Sequence, residues 1–100
     1  MKPYIKNYFK VSGIDPYGFV PCEVCEGQCV DFHHIESKGM GGDPTKEKDK
    51  FKNIMAICRT DHEKYGDLKQ WKNYLKALHA ERFPHILEFN HNTGEINEKI

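Results

Sequence analysis

Val30-Asp31-Phe32-His33-His34-Ile35 alternates apolar and polar side chains and carries two adjacent histidines. With Gln28 and Cys29 before it, this stretch reads as a strand over residues 28–35. Side chains two apart share a face of such a strand, so Asp31 and His33 lie together. Neighbours point to opposite faces, so His33 and His34 serve one ligand only if the strand ends or bends there. The glycines that follow, Gly39-Met40-Gly41-Gly42, make such a departure plausible.

Working outward, residues 36–52 form a connection longer than usual, which marks either function or disorder. Its first half needs unusual backbone angles, and Lys46-Glu47-Lys48-Asp49-Lys50 is a solvated charge run. Ile54-Met55-Ala56-Ile57 is a second strand. Thr60-Asp61-His62-Glu63 has the form of a capping box, with Thr60 as N-cap, predicting a helix from about Asp61 to Gly66. Asp67-Leu68-Lys69-Gln70 repeats that logic for a helix over 68–82, with an apolar stripe Leu68, Trp71, Leu75 and Leu78, ended by Pro84. Residues 85–100 are polar and turn at Asn92-Thr93-Gly94, as a hairpin or a loose tail. At the other end, Pro3 to Val11 reads as a helix with Ile5, Tyr8 and Phe9 on one side. The expected fold is a small α+β single domain over 1–100. It has a helical lead-in (1–20), a central unit (21–66), a C-terminal amphipathic helix (67–83) and a tail (84–100).

Composition bounds the function. Hydrophobic residues make up 38% and charged residues 30% of the 100, and the mean hydropathy is −0.76. No apolar run approaches the ~20 residues of a membrane span. Met1-Lys2-Pro3-Tyr4 lacks the apolar core of a signal peptide, so a cytoplasmic location is expected. Lysine and arginine total 15, as do aspartate and glutamate. That zero balance argues mildly against a nucleic-acid partner, so local charge distribution and any bound cation must carry such a role.

Four cysteines, at 22, 25, 29 and 58, share the chain with six histidines. Without a secretion signal this favours metal over disulfides. Cys22-x2-Cys25 has the look of a zinc knuckle, aiming two thiolates at one point. A tetrahedral zinc site needs a second pair. That pair is Cys58-x2-Asp61, with a carboxylate where a thiolate is usual, and Cys29 and His62 are rival fourth ligands.

The order of parts, His33-His34 on a strand, Asn53, a second strand and His62 on a helix, resembles the HNH endonucleases. Pro21-Cys22-x2-Cys25, Val30-Asp31-x-His33-His34-Ile35-Glu36, Gly39-Met40-Gly41-Gly42, Asn53 to Arg59 and His62 all stand in that family's register, over residues 21–66. Phage and prophage members carry a similar Tyr-Phe-rich lead-in. The resemblance implies a ββα-metal (His-Me finger) core, a structural Zn²⁺ and a catalytic divalent ion (Mg²⁺, Mn²⁺, Ni²⁺ or Zn²⁺). It implies that His33 and His62 hold the catalytic ion and that His34 is the general base. Asn53 then orients the loop or completes the metal shell. DNA is the implied substrate, with no membrane partner. Asp31 is placed to orient His33 from behind, and Lys38 and Arg59 border the site as phosphate contacts. Asp61 departs from the family pattern, which has a cysteine there.

The chemistry these residues offer agrees. Phosphodiester hydrolysis needs an activated water, which a neutral histidine supplies, and stabilisation of phosphoryl charge, which a divalent ion supplies. The alternative from another class is a non-catalytic, zinc-stabilised DNA-binding module with a decayed site. A redox role for Cys22 and Cys25 lacks the βαβ context it needs. His79, His85 and His91 read as ordinary core or surface imidazoles.

Overall fold

The computed structural model describes residues 1–29, 31–37, 46–66 and 68–99. Three helices and two small antiparallel sheets make up a small α+β domain, and its centre is a strand–strand–helix unit. Helix α1 spans Pro3–Ser12, with Pro3 in its first turn and Gly13 as a left-handed C-cap whose N–H reaches the Phe9 carbonyl. Strands β1 (Asp31–His34) and β2 (Ile54–Ile57) pair antiparallel, with His33 opposite Met55 and His34 opposite Ile54. Helix α2 begins at Arg59–Asp61 and widens into a π-helical turn over His62–Gly66. Helix α3 (Lys72–Arg82) follows a short 3-10 turn at Lys69–Trp71. The hairpin β3 (Leu87–Asn90) and β4 (Glu95–Glu98) closes the chain.

All four residues of β2 are buried, because the strand has a core on each face. Ile54 and Ala56 join Tyr8, Phe51, Leu87 and Ile96, while Met55 joins Ile35 and Leu75. The same alternation runs through β1. Phe32 packs on Tyr8 and Phe9 of α1, and Ile35 lies in the other core. The final hairpin is thus part of the main core rather than a loose tail, through Leu87 and Ile96.

Several sequence expectations are revised. The strand expected over 28–35 is shorter: Gln28 instead bridges back to Pro21, closing the cysteine turn. The N-cap of α2 is Cys58 rather than Thr60, because the Cys58 sulfur accepts the Asp61 N–H at 3.4 Å. The long helix expected over 68–82 is α-helical only from Lys72, and Leu68 lies outside its buried stripe, 46% exposed. Leu75 is buried with His79 and Ala80 instead. The charged half of the long connection is not simply solvated. It forms 3-10 turns at Glu47–Asp49 and Phe51–Asn53, and Glu47 pairs with both Lys50 and Lys52. The glycine stretch 39–42, Lys38 and the cap proposed at Asp67 lie outside the described residues.

A buried polar network locks these elements together. Glu23 is 3% exposed and His79 fully buried. One Glu23 oxygen accepts from the Tyr8 hydroxyl at 2.6 Å and from the Ala56 N–H at 3.0 Å; the other meets His79 Nδ1. His79 Nε2 lies 2.7 Å from the Phe51 carbonyl. A carbonyl can only accept, so Nε2 carries a proton and a single further proton lies between Nδ1 and Glu23. Burial first, and then the Glu23 charge, push the Tyr8 hydroxyl well above its ordinary pKa, so it stays a donor.

Glu23→Ala strands three buried groups at about 1–3 kcal/mol each, whereas Tyr8→Phe removes one bond. Urea unfolding is expected to give Glu23→Ala a loss of about 3 kcal/mol or more, and Tyr8→Phe only about 1 kcal/mol.

Candidate metal centre and histidine site

The cysteine turn is shaped by its backbone. Cys22 N–H bonds the Gly27 carbonyl at 2.6 Å, Glu26 N–H bonds the Cys22 carbonyl at 2.9 Å, and Glu26 takes a left-handed conformation at φ 68°. Cys22 and Cys25 therefore point the same way, towards the junction of β2 and α2, where Cys58 and Asp61 stand one helical turn apart. The ligand atoms of Cys22, Cys25, Cys58 and Asp61 all lie within 4.8 Å of one another. Cys25 and Cys58 sulfurs are 3.7 Å apart, and an Asp61 oxygen lies 3.3 Å from Cys22 Sγ and 3.2 Å from Cys58 Sγ.

These separations fit one ion. Metal–sulfur bonds of about 2.3 Å in a tetrahedron put sulfurs roughly 3.8 Å apart, and a carboxylate oxygen slightly closer. Three thiolates with one carboxylate form a donor set that a soft or borderline cation such as zinc accepts. The fourth position goes to Asp61 and not to its rivals. Cys29 turns away and donates to the Asp31 carbonyl at 3.1 Å, and His62 faces β1. Hydrogen bonding to Asp61 pushes the Cys25 thiol up to about 12, and burial raises Cys58. Burial opposes ionisation of Asp61, but the bonds it accepts from the three thiols hold its carboxyl below the usual range.

The histidines divide between the two faces of β1. On the α2 face, His33 is buried and its ring centroid lies 4.8 Å from that of His62. Two imidazoles sharing one ion, with metal–nitrogen bonds of about 2.0–2.1 Å, have centroids roughly 4.5–5.5 Å apart, so this pair is spaced to hold one. Asp31, expected behind His33, instead lies 3.3 Å from His62 Nδ1, which leaves His62 Nε2 for a ligand. Gly66 is packed against the His62 ring, where a Cβ would come within 2.4 Å of Cδ2. Among the described residues, only the cysteine–aspartate group gathers three or more metal-binding atoms.

On the α1 face, His34 Nε2 lies 2.9 Å from Asp49 and its ring meets Tyr4 edge-on at 4.6 Å. The strand ends at His34 and the chain bends at Ile35 and Glu36, as a shared ligand would require, although Ile35 N–H still bonds the Asn53 carbonyl at 2.9 Å. Asn53 is committed to the backbone. Its side-chain Oδ1 accepts from Glu36 N–H at 2.8 Å, and Nδ2 donates to the Glu36 and Lys48 carbonyls at 2.9 and 2.8 Å. It therefore orients the loop. Arg59 is exposed at the start of α2.

Asp49 and Glu23 escaped the sequence reading. Asp49 sits in a charge run whose polar character predicts solvent, Glu23 lies inside the cysteine turn where only the thiols carry a spacing signal, and the 15 residues between His34 and Asp49 in sequence hide their pairing. Compared with models of protein families, with curated proteins and with solved structures, the chain finds no match in any of the three.

Two measurements follow from this geometry. Zinc titration of the purified chain is expected to saturate at one tightly held ion and to raise Tm. Asp61→Asn should weaken zinc binding by at least about tenfold, Asp61→Cys should retain it, and affinity should fall as pH falls because the cation must displace thiol protons. Separately, Gly66→Ala is expected to push the His62 ring aside, detectable as a shift of the His62 side-chain NMR signals with the zinc content unchanged.

Proposed function

We propose that this chain is a metal-dependent endonuclease of the HNH kind, hydrolysing DNA phosphodiester bonds on a ββα-metal core, with zinc in the cysteine–aspartate group as its structural ion. The observation that carries the reading is the His33–His62 pair, 4.8 Å apart, with the Asp31 carboxylate behind His62. That arrangement, carboxylate on one ring nitrogen and the other nitrogen turned to a ligand, is how proteins orient metal-binding histidines.

A divalent ion held by His33 and His62 would supply Lewis-acid stabilisation of charge on the phosphoryl and leaving oxygens. The chain's own groups do the rest. Asp49 holds Nε2 of His34, so that nitrogen carries the proton and Nδ1 presents a lone pair. Nδ1 takes a proton from water, the hydroxide oxygen bonds to phosphorus, and the bond to the 3′ oxygen breaks. Asp49 is a positioning residue in this scheme, and it also stabilises the imidazolium that forms. Asn53 keeps the segments carrying His34 and Asp49 in register through Glu36 and Lys48.

The competing reading, a non-catalytic zinc-stabilised DNA-binding module, is favoured by one observation: His33 and His34 occupy opposite faces of β1. Conversion of supercoiled plasmid to open circle separates the two. With Mg²⁺, Mn²⁺ or Ni²⁺ the wild-type chain is expected to nick. His34→Ala should slow nicking by about 10²–10⁴-fold, His62→Ala should abolish it, and Asp49→Asn should lower kcat while leaving KM nearly unchanged. Cleavage by His34→Ala at the wild-type rate would remove the base role.

A further inference from the structure

The chain is neutral overall, but its charge is not evenly spread. Helix α1 contains no acidic residue, and Lys2, Lys6 and Lys10 fall at i, i+4 and i+8 along its exposed side. At its N-terminal end a cleft opens between α1 and the turn that begins at Lys46. Its lining includes Lys2, Tyr4, Asn7, Lys46, Asp49 and Lys50. Lys46 takes a left-handed backbone conformation at φ 62° as the chain enters that turn.

Two walls of this cleft are the residues that touch His34: Asp49, 2.9 Å from its Nε2, and Tyr4, edge-on to its ring. The α1 face of β1 is therefore not closed core at His34, and whatever approaches the imidazole from this side passes between lysines. The acidic groups nearby are already engaged. Asp49 is held on His34, and Glu47 pairs with Lys50 and Lys52. Among the described residues, Lys2, Lys6, Lys10 and, across the cleft, Lys46 meet no carboxylate, and Lys2 lies over the Tyr4 ring at 5.8 Å. A row of cations at about 6 Å intervals along a helix, next to an aromatic ring and an amide, complements a linear polyanion with hydrogen-bonding edges better than it complements an isolated anion.

We propose that the lysine row of α1 and the cleft at its N-terminal end bind the sugar–phosphate backbone of a nucleic-acid strand and lead it to His34. This rests on the nuclease reading for the role of His34, but the binding itself is measurable without cleavage.

The test is fluorescence anisotropy with a short labelled DNA duplex and the full chain, with no divalent ion added, over a series of salt concentrations. Each phosphate contact contributes about 0.9 to the slope of log K against log salt. The variant Lys2→Ala/Lys6→Ala/Lys46→Ala is expected to lose roughly two to three units of that slope and to bind at least about tenfold more weakly near 0.1 M salt. The triple Lys→Arg variant should bind like wild type, and Lys69→Ala/Lys99→Ala, on other surfaces, should leave the slope unchanged. Thermal melts of all variants check that the fold is kept. A triple alanine variant that melts normally and keeps the wild-type slope overturns the surface assignment, while plasmid nicking by wild type would still uphold the nuclease reading. Wild-type binding to vesicles containing anionic lipid, with none to DNA, overturns it in favour of a membrane surface. Binding lost in the alanine variant with no nicking by wild type supports the surface and overturns the nuclease reading alone.

Discussion

The carboxylate of Glu23 is the constraint on which the remaining structure depends. It sits within the cysteine turn, yet it reaches α1 through Tyr8, β2 through Ala56 and α3 through His79. Its own N–H bonds the Ala56 carbonyl at 2.9 Å, so Glu23 acts as a short strand partner along the outer edge of β2. Its carbonyl takes Arg82 Nε at 2.8 Å. A buried carboxylate is tolerated only when it is hydrogen-bonded, and here Tyr8, Ala56 and His79 supply three contacts from three different elements. Because Cys22 is its neighbour and Cys58 ends β2, the same contacts that hold the core also fix both halves of the metal group.

The junction of β2 and α2 is where stability and chemistry meet. The Cys58 sulfur caps the helix by accepting the Asp61 N–H, and it also faces the other three ligand atoms. A cation bound there ties the cysteine turn to the start of α2 across 36 residues of chain, restricting the unfolded state far more than a local contact does. Immediately afterwards the helix widens to a π turn. That widening accompanies the close approach of Gly66 to the His62 ring, which is directed at β1. One short helix thus presents Asp61 to one group and His62 to another by using consecutive residues on different sides of its axis.

What was legible in the sequence was whatever depends on local pattern. The apolar run of β2 and the paired spacings Cys22-x2-Cys25 and Cys58-x2-Asp61 each carry their own period and came together as read, and the β1 alternation formed a strand over Asp31–His34, shorter than read. What was not legible depends on partners distant in sequence. Thr60 looked like the helix cap because hydroxyl caps are common, but Cys58, whose sulfur lies 3.7 Å from that of Cys25, supplied the cap two residues earlier. Leu68 matched the helical stripe, but the chain reaches helical geometry only at Lys72, so Leu68 fell outside the core. Asp49 read as a solvent-facing charge until the fold brought His34 to it, and Glu23, inside the cysteine turn, drew no reading until the fold brought His79 to it. The tail read as polar because its inward residues are few; among the described residues of the tail, Leu87 and Ile96 are the buried ones.

The opposite facing of His33 and His34 limits what this strand can bind. β1 has a sheet partner on one edge only, β2, among the described residues. A small ligand resting on one face of the strand meets one histidine, either His33 with His62 or His34 with Asp49. The antiparallel register, His33 opposite Met55 and His34 opposite Ile54, and one further bond from Ile35 N–H to the Asn53 carbonyl hold the two histidines at this offset up to the bend at Ile35 and Glu36. The dipeptide therefore belongs to two side-chain groupings, His33 with His62 and His34 with Asp49.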